Sequence, residues 1–193
     1  MAGRPRNFDV DEVVGCAMLV FWKQGYEGTG LVDLEEATGL GRQSLYGVFG
    51  DKRGLFLAVV EHYFTHVLKP GIDVLDMAGS ARANLEQIFG AWEATAASPE
   101  FHGCLVGNSV PEFSSRDAEL SAVLLRKLEL LEAAFARALR RAKRDGEVSS
   151  SLDVKNTARA LLTLAQGLAV VARANREPGF VRSVVQSARS LLG

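Results

Sequence analysis

The residues whose types suit contact with a nucleic acid lie between Thr29 and Lys52. Arg42, Gln43 and Ser44 are consecutive, and Tyr46 and Lys52 follow within the next turns of chain. An arginine can pair with a guanine edge and a glutamine with an adenine edge, while a serine allows close approach to the groove floor. The hydroxyls of Thr29 and Tyr46 and the ammonium of Lys52 suit phosphate oxygens instead. Amides opening a helix at Lys52 would add the helix-terminal dipole. On spacing alone, the same stretch is equally an ordinary helical hairpin with solvated Arg and Gln. Near the start of the chain, Gly3-Arg4-Pro5-Arg6 reads either as an arm that places Arg4 and Arg6 in a minor groove or as a tail with incidental charge.

Other groups could carry other chemistry. Cys104, in His102-Gly103-Cys104-Leu105-Val106-Gly107-Asn108, is expected in the first turn of a short helix, where the dipole favours a thiolate. The alternative is a small buried hydrophobe. Cys16 falls on the apolar face of the first helix and is expected in the core. His62 and His66 have the four-residue spacing of helical metal ligands, and His102 is a third imidazole. No neighbouring Cys or carboxylate clearly completes a set, so the expectation is no metal and no cofactor. Nothing pairs a nucleophile with a base or two carboxylates at useful spacing, and no glycine-rich phosphate loop is present; the chain does not read as an enzyme. Phe64, Phe89, Trp92, Phe101, Phe113 and Phe135 would line an apolar pocket with Asn108 and Glu112 as polar anchors, or else form plain core.

The elements that must position these residues are helices. Of 193 residues, 48% are hydrophobic and 23% charged, enough for a sizeable core, and the net charge of -1 excludes a globally polycationic binder. Two cysteines are too few for a disulfide scaffold and suit a reducing cytosol. No secretory signal and no membrane span are legible, so a cytoplasmic protein is expected. Val10, Val13, Val14, Ala17, Met18 and Phe21 mark one helix face that Gly25 ends. Helices are predicted over 31–38, with Thr29 as N-cap, and over 42–49, with Leu34, Ala37, Leu40, Leu45 and Phe49 where they meet. Asp51 caps a fourth that runs from Lys52 towards Val67 until Lys69-Pro70-Gly71 ends it. Longer helices are expected over 80–96, 118–144, 153–175 and 180–192, with a short apolar one from Cys104 to Val110 before Pro111. A strand over 101–113 is rejected for want of alternation. The fold class is all-α, about nine to ten helices, with a change of texture near Lys69-Pro70-Gly71.

Two short helices around Gly39-Leu40-Gly41 form a helix-turn-helix pattern. The run from Gly25 to Thr29, then Asp33-Leu34-Glu35-Glu36-Ala37-Thr38-Gly39-Leu40, then Ser44-Leu45-Tyr46-Gly47-Val48-Phe49-Gly50-Asp51-Lys52-Arg53-Gly54-Leu55-Phe56 resembles the DNA-binding domain of the TetR/AcrR family of transcriptional regulators. The resemblance implies an arm over 1–8, a three-helix helix-turn-helix domain over 9–56, and a C-terminal helical bundle for ligand binding and dimerisation over 57–193. It implies that the second helix of the motif enters the major groove while Thr29, Tyr46 and Lys52 hold the backbone of double-stranded DNA. Gly41 and Gly47-Val48 depart from the family pattern, so base reading falls to Arg42, Gln43 and Ser44. The stretch through Phe56 carries six bases against eight acids, which implies few phosphate contacts and a shallow salt dependence.

The function implied is a ligand-responsive regulator, by family default a repressor released from its operator by a small molecule or a reactive electrophile. The motif around Cys104 is similar to one in a subgroup of electrophile-responsive regulators. The rival reading is a helical adaptor that binds only protein. Leu124 and Leu128, with Ala158, Leu161, Ala165, Leu168 and Ala172 at a near-seven-residue repeat, are expected at a homodimer seam built from the 118–144 and 153–175 helices. Two-fold reading requires half-sites about 34–36 Å apart.

Overall fold

The computed structural model describes residues 8–175 and 177–193. Among these residues are ten α-helices, one π turn and no strand. They divide into two compact units, one ending at His66 and the other beginning at Val67.

The first unit contains α1 (Val10–Gln24), α2 (Leu31–Thr38), α3 (Arg42–Phe49) and α4 (Lys52–Tyr63), followed by the π turn Phe64–Leu68 in which the division falls. Each boundary has a local cause. The Asp9 carboxylate accepts from the Asp11 amide at 2.8 Å to open α1, and Asp51 accepts from the Gly54 amide at 2.7 Å to open α4. Gly39 ends α2 at φ 67°, a left-handed conformation that an L side chain rarely adopts. Helix α4 packs against α1 and α3, which places it with the first unit and moves the division later than 56/57. Its core joins Val13, Ala17 and Phe21 of α1, Leu34, Leu45, and Leu55, Phe56 and Val59 of α4. Phe21, Tyr26 and Phe56 form an aromatic cluster with centroids 5.0–5.9 Å apart.

The second unit contains α5 (Lys69–Asp76), α6 (Ala81–Ala96), α7 (Leu105–Phe113), α8 (Ala118–Arg144), α9 (Val154–Val171) and α10 (Pro178–Ser190). Helix α8 is its spine and packs against α5, α6, α7 and α9. Arg141 of α8 donates to the carbonyls of Leu75 and Met77, satisfying the open end of α5.

Several expectations are corrected. Lys69-Pro70-Gly71 does not end a helix but opens α5, because a proline in the first turn lacks only an N–H that has no helical partner there. Pro111 lies inside α7, which closes beyond it with the Ser114 N–H on the Val110 carbonyl at 3.0 Å. The 153–175 helix ends at Val171. Gly30, not Thr29, is the N-cap of α2. Ala37 is exposed and Cys16 only half-buried, so neither is a core position. Leu124, Ala158, Leu161, Leu168 and Ala172 are buried within the single chain, and Leu128 and Ala165 half-buried. The five buried members of the expected dimer seam are therefore occupied in packing within the single chain, where α8 lies against α9. A seven-residue apolar repeat specifies a helical neighbour but not whose helix it is.

Asp76 and Arg137 form a two-pronged ion pair, at 2.9 and 2.6 Å, between α5 and α8. The Arg137 hydrogen bonds outweigh partial burial and hold the Asp76 carboxyl below its ordinary value, while the same contact raises Arg137. The stabilisation is thus present above the ordinary carboxylate range and lost as pH falls through the depressed folded value. Both side chains are more than a third exposed, so solvent limits the effect. Arg137→Ala should lower unfolding free energy by under about 1 kcal/mol at neutral pH, with the difference from the parent vanishing in acid urea titrations.

Candidate nucleic-acid interface

Helix α3 is held from beneath and open above. Leu45 is fully buried, as is Leu34 of α2; α3 packs against α4 and α2 against α1. Successive residues of a helix are turned by about 100° from one another, so Ser44 and Gln43 point away from an inward Leu45, while Arg42, about 60° from it, is the first residue of the helix and has no preceding turn to cover it. Arg42, Gln43 and Ser44 are exposed accordingly. Tyr46 is half-buried at the flank, and the Arg42 guanidinium sits 5.8 Å from its ring centroid, which braces the arginine for a planar contact. Lys52 lies with its ammonium 4.4 Å from the Tyr26 centroid, fixed at the start of α4. The surface so formed has donors for base edges in the middle and cationic or phenolic groups at one side.

Thr29 does not join this surface. It is 2% exposed, and its hydroxyl donates to the Gly25 carbonyl at 2.6 Å. It fixes the path into α2 instead of offering a hydroxyl to phosphate, which corrects the expectation. Arg4 and Arg6 lie outside the described residues.

One functional residue was not singled out in the sequence. Gly41 cannot cap α3 with a side chain, and the Glu35 carboxylate of α2 accepts from the Arg42 amide in its place. The cap comes from seven residues upstream, so no local capping pattern announces it.

The candidate effector residues fall as follows. Phe89, Trp92 and Phe135 form an aromatic cluster of tilted and edge-to-face contacts, with centroids 5.3 Å and 6.1 Å apart. Phe101 is half-buried and Phe113 buried, while Phe64 belongs to the first unit. Asn108 donates to the His102 carbonyl at 2.9 Å and so closes the loop before α7; Glu112 is half-buried. Cys104 is the N-cap of α7, 7% exposed, with its sulfur accepting from the Gly107 amide at 3.4 Å. Gly103 has φ 79°, and a Cβ there would stand 2.5 Å from the Ala169 carbonyl oxygen of α9. At Gly107 a Cβ would meet the Gln166 Oε1 atom, the sole buried side-chain N or O atom without a hydrogen-bond partner among the described residues. Gln166 had carried no sequence signal. Of the three histidines, His62 and His66 come together with Asp11, and His102 is not part of that cluster.

Residues 16–59 match the family described as bacterial regulatory proteins, tetR family, and residues 81–188 match the tetracyclin repressor-like C-terminal domain. The chain belongs to the TetR family. It is a family of transcriptional regulators, not of enzymes. The TetR-type chain is 33% identical to the HTH-type transcriptional regulator YezE of Bacillus subtilis over 98% of its own length and 99% of that protein. It is 31% identical to the HTH-type transcriptional repressor ComR of Escherichia coli, over 89% of this chain and 82% of that one. Among solved structures, a cysteine-substituted form of the TetR family transcriptional regulator CifR, complexed with 26bp double-strand operator DNA, superposes with a TM-score of 0.88 at 32% identity, covering 99% of this chain and 100% of that one. No described helix is long and apolar enough to cross a membrane.

Glu35→Ala should destabilise the first unit by about 1 kcal/mol, read as a lower urea midpoint, because it strips the cap from α3. Glu35→Gln, which keeps an acceptor oxygen, should recover most of that loss.

Proposed function

We propose that this TetR-family chain is a sequence-specific repressor that binds double-stranded operator DNA as a cytoplasmic homodimer and is released by an effector bound in its second unit. The observation that carries the reading is α3 itself: Arg42, Gln43 and Ser44 face outward over the buried Leu45. In the major groove these three would read base edges, with Tyr46 and Lys52 on flanking phosphates. The operator complex of CifR and the repressor description of ComR support the same reading.

The dimer would use the outer faces of α8 and α9, not their buried seam. Leu125 and Val170 are each 54% exposed, and Gly167 is exposed beside Val170. A two-fold contact across these faces would cover apolar surface that the single chain leaves in water. For the effector, the unpaired Oε1 of Gln166 is a buried acceptor that a ligand donor would satisfy, beside the α7 N-terminus. Effector binding would then oppose DNA binding through a coupling energy of about 1–3 kcal/mol.

A second form of the trigger is favoured by the contact at Cys104. A sulfur that accepts a backbone amide at a helix N-terminus is better able to carry the charge of a thiolate. Attack by that thiolate on a quinone or aldehyde carbon would form a carbon–sulfur bond, with the proton returned to the adduct from solvent. The added bulk would part α7 from α9.

Arg42→Ala with Tyr46→Ala should weaken binding to the DNA upstream of the chain's own gene by about 100-fold or more in a mobility-shift assay. The variant should keep the parent's mass by light scattering, whereas retained DNA binding would show that α3 is not the reading helix. Cys104→Ser should leave DNA affinity unchanged but abolish release by a quinone; an unchanged response removes the thiol from the trigger.

A further inference from the structure

The two imidazoles that share a helix face are joined, in the folded first unit, by a carboxylate far away in sequence. Asp11 lies in the first turn of α1, His62 near the end of α4, and His66 in the π turn that follows. One ligand-type atom from each lies within 4.8 Å of the others. The three line an open groove together with Asp9, Val14 and Ala58. We propose that Asp11, His62 and His66 form a binding site for a divalent first-row transition ion of the zinc class.

The geometry is close to what such an ion requires. Bonds of about 2.0–2.1 Å in a tetrahedral array put neighbouring ligand atoms about 3.3–3.4 Å apart. His62 Nδ1 and Asp11 Oδ1 stand 3.0 Å apart, so an ion entering between them has to spread them by only a few tenths of an ångström. His62 is only 13% exposed at its side chain and turns Nε2 towards Gly15 of α1, which leaves Nδ1 as the donor facing the groove. The His66 ring centroid lies 4.2 Å from that of His62.

A simple surface ion pair would account for His62 and Asp11 but not for the third member. A metal ion draws on a neutral lone pair from each ring and on the charge of the carboxylate. Two nitrogens and one oxygen form a borderline donor set, suited to zinc, copper or nickel and poorly suited to calcium or magnesium. Three protein ligands leave one tetrahedral position for water or a solute donor. The ion would tie the first turn of α1 to the end of α4, two elements separated by more than forty residues of chain. This site lies wholly within the first unit and is independent of the effector proposed for the second.

The test is calorimetric titration of the untagged full-length chain with zinc chloride, repeated with His66→Gln and with Asp11→Asn. Both positions are exposed and neither substitution disturbs the buried core, so far-ultraviolet circular dichroism should match the parent. The expected result is one ion per chain in the parent, affinity weakened by about 100-fold or more in each variant, and an upward shift of the thermal midpoint with zinc in the parent alone. Cobalt substitution should give weak ligand-field bands without the intense thiolate charge-transfer band that Cys16 or Cys104 would produce. The proposal is overturned by no zinc binding, by unchanged affinity in both variants, or by a thiolate band.

Discussion

The presentation of α3 depends on a single inward side chain. Leu45 and Leu34, both fully buried, fix the angular phase of two helices that are each only eight residues long. Helices this short have little independent stability in water, so their orientation comes from burial and not from propensity. If Leu45 turned outward, Gln43, about 200° from it around the helix, would turn inward. The left-handed Gly39 and the Glu35 cap then refine an arrangement that hydrophobic contact has already chosen. The aromatic cluster of Phe21, Tyr26 and Phe56 beneath holds α1 and α4 as the platform.

Much of this was legible because it is local. The limits of α2, α3 and α8 follow from glycines, aspartate caps and apolar steps a few residues apart, and the structure places those helices where the pattern put them. The outward set on α3 was legible for the same reason. What could not be read were relations between distant parts of the chain. Glu35 lies seven residues from the amide it caps, and Asp11 lies 51 residues from His62. The burial of Thr29 depends on how the loop after α1 folds, which no periodicity records. The apolar repeats of α8 and α9 were plain, but a repeat carries no information on whether its partner lies in the same subunit.

In the motif at 102–108, one short stretch combines close helix packing with capping and loop closure. Gly103 lets the chain entering α7 lie against α9, where a Cβ would strike the Ala169 carbonyl, and at Gly107 a Cβ would have to displace the end of the Gln166 side chain. Asn108 closes the loop on His102, and Cys104 occupies the capping position that Ser or Asp usually takes. Sulfur is a weaker acceptor than oxygen, so a cysteine caps this helix less strongly than Ser or Asp would. Next to it, the unsatisfied Gln166 oxygen is a local energetic defect in an otherwise well-paired interior.

The Glu35 cap also bears on how the protein searches a chromosome. The amino end of a helix ordinarily attracts any phosphate, whatever the adjacent bases. At α3 that attraction is already quenched by a carboxylate of the protein itself, on a head whose acids outnumber its bases. Sequence-blind adhesion at that helix end is thereby weakened, while the exposed side chains of α3 remain free of the cap. Against roughly a million or more competing non-cognate sites, a regulator gains occupancy of its target as surely by avoiding the wrong DNA as by gripping the right one.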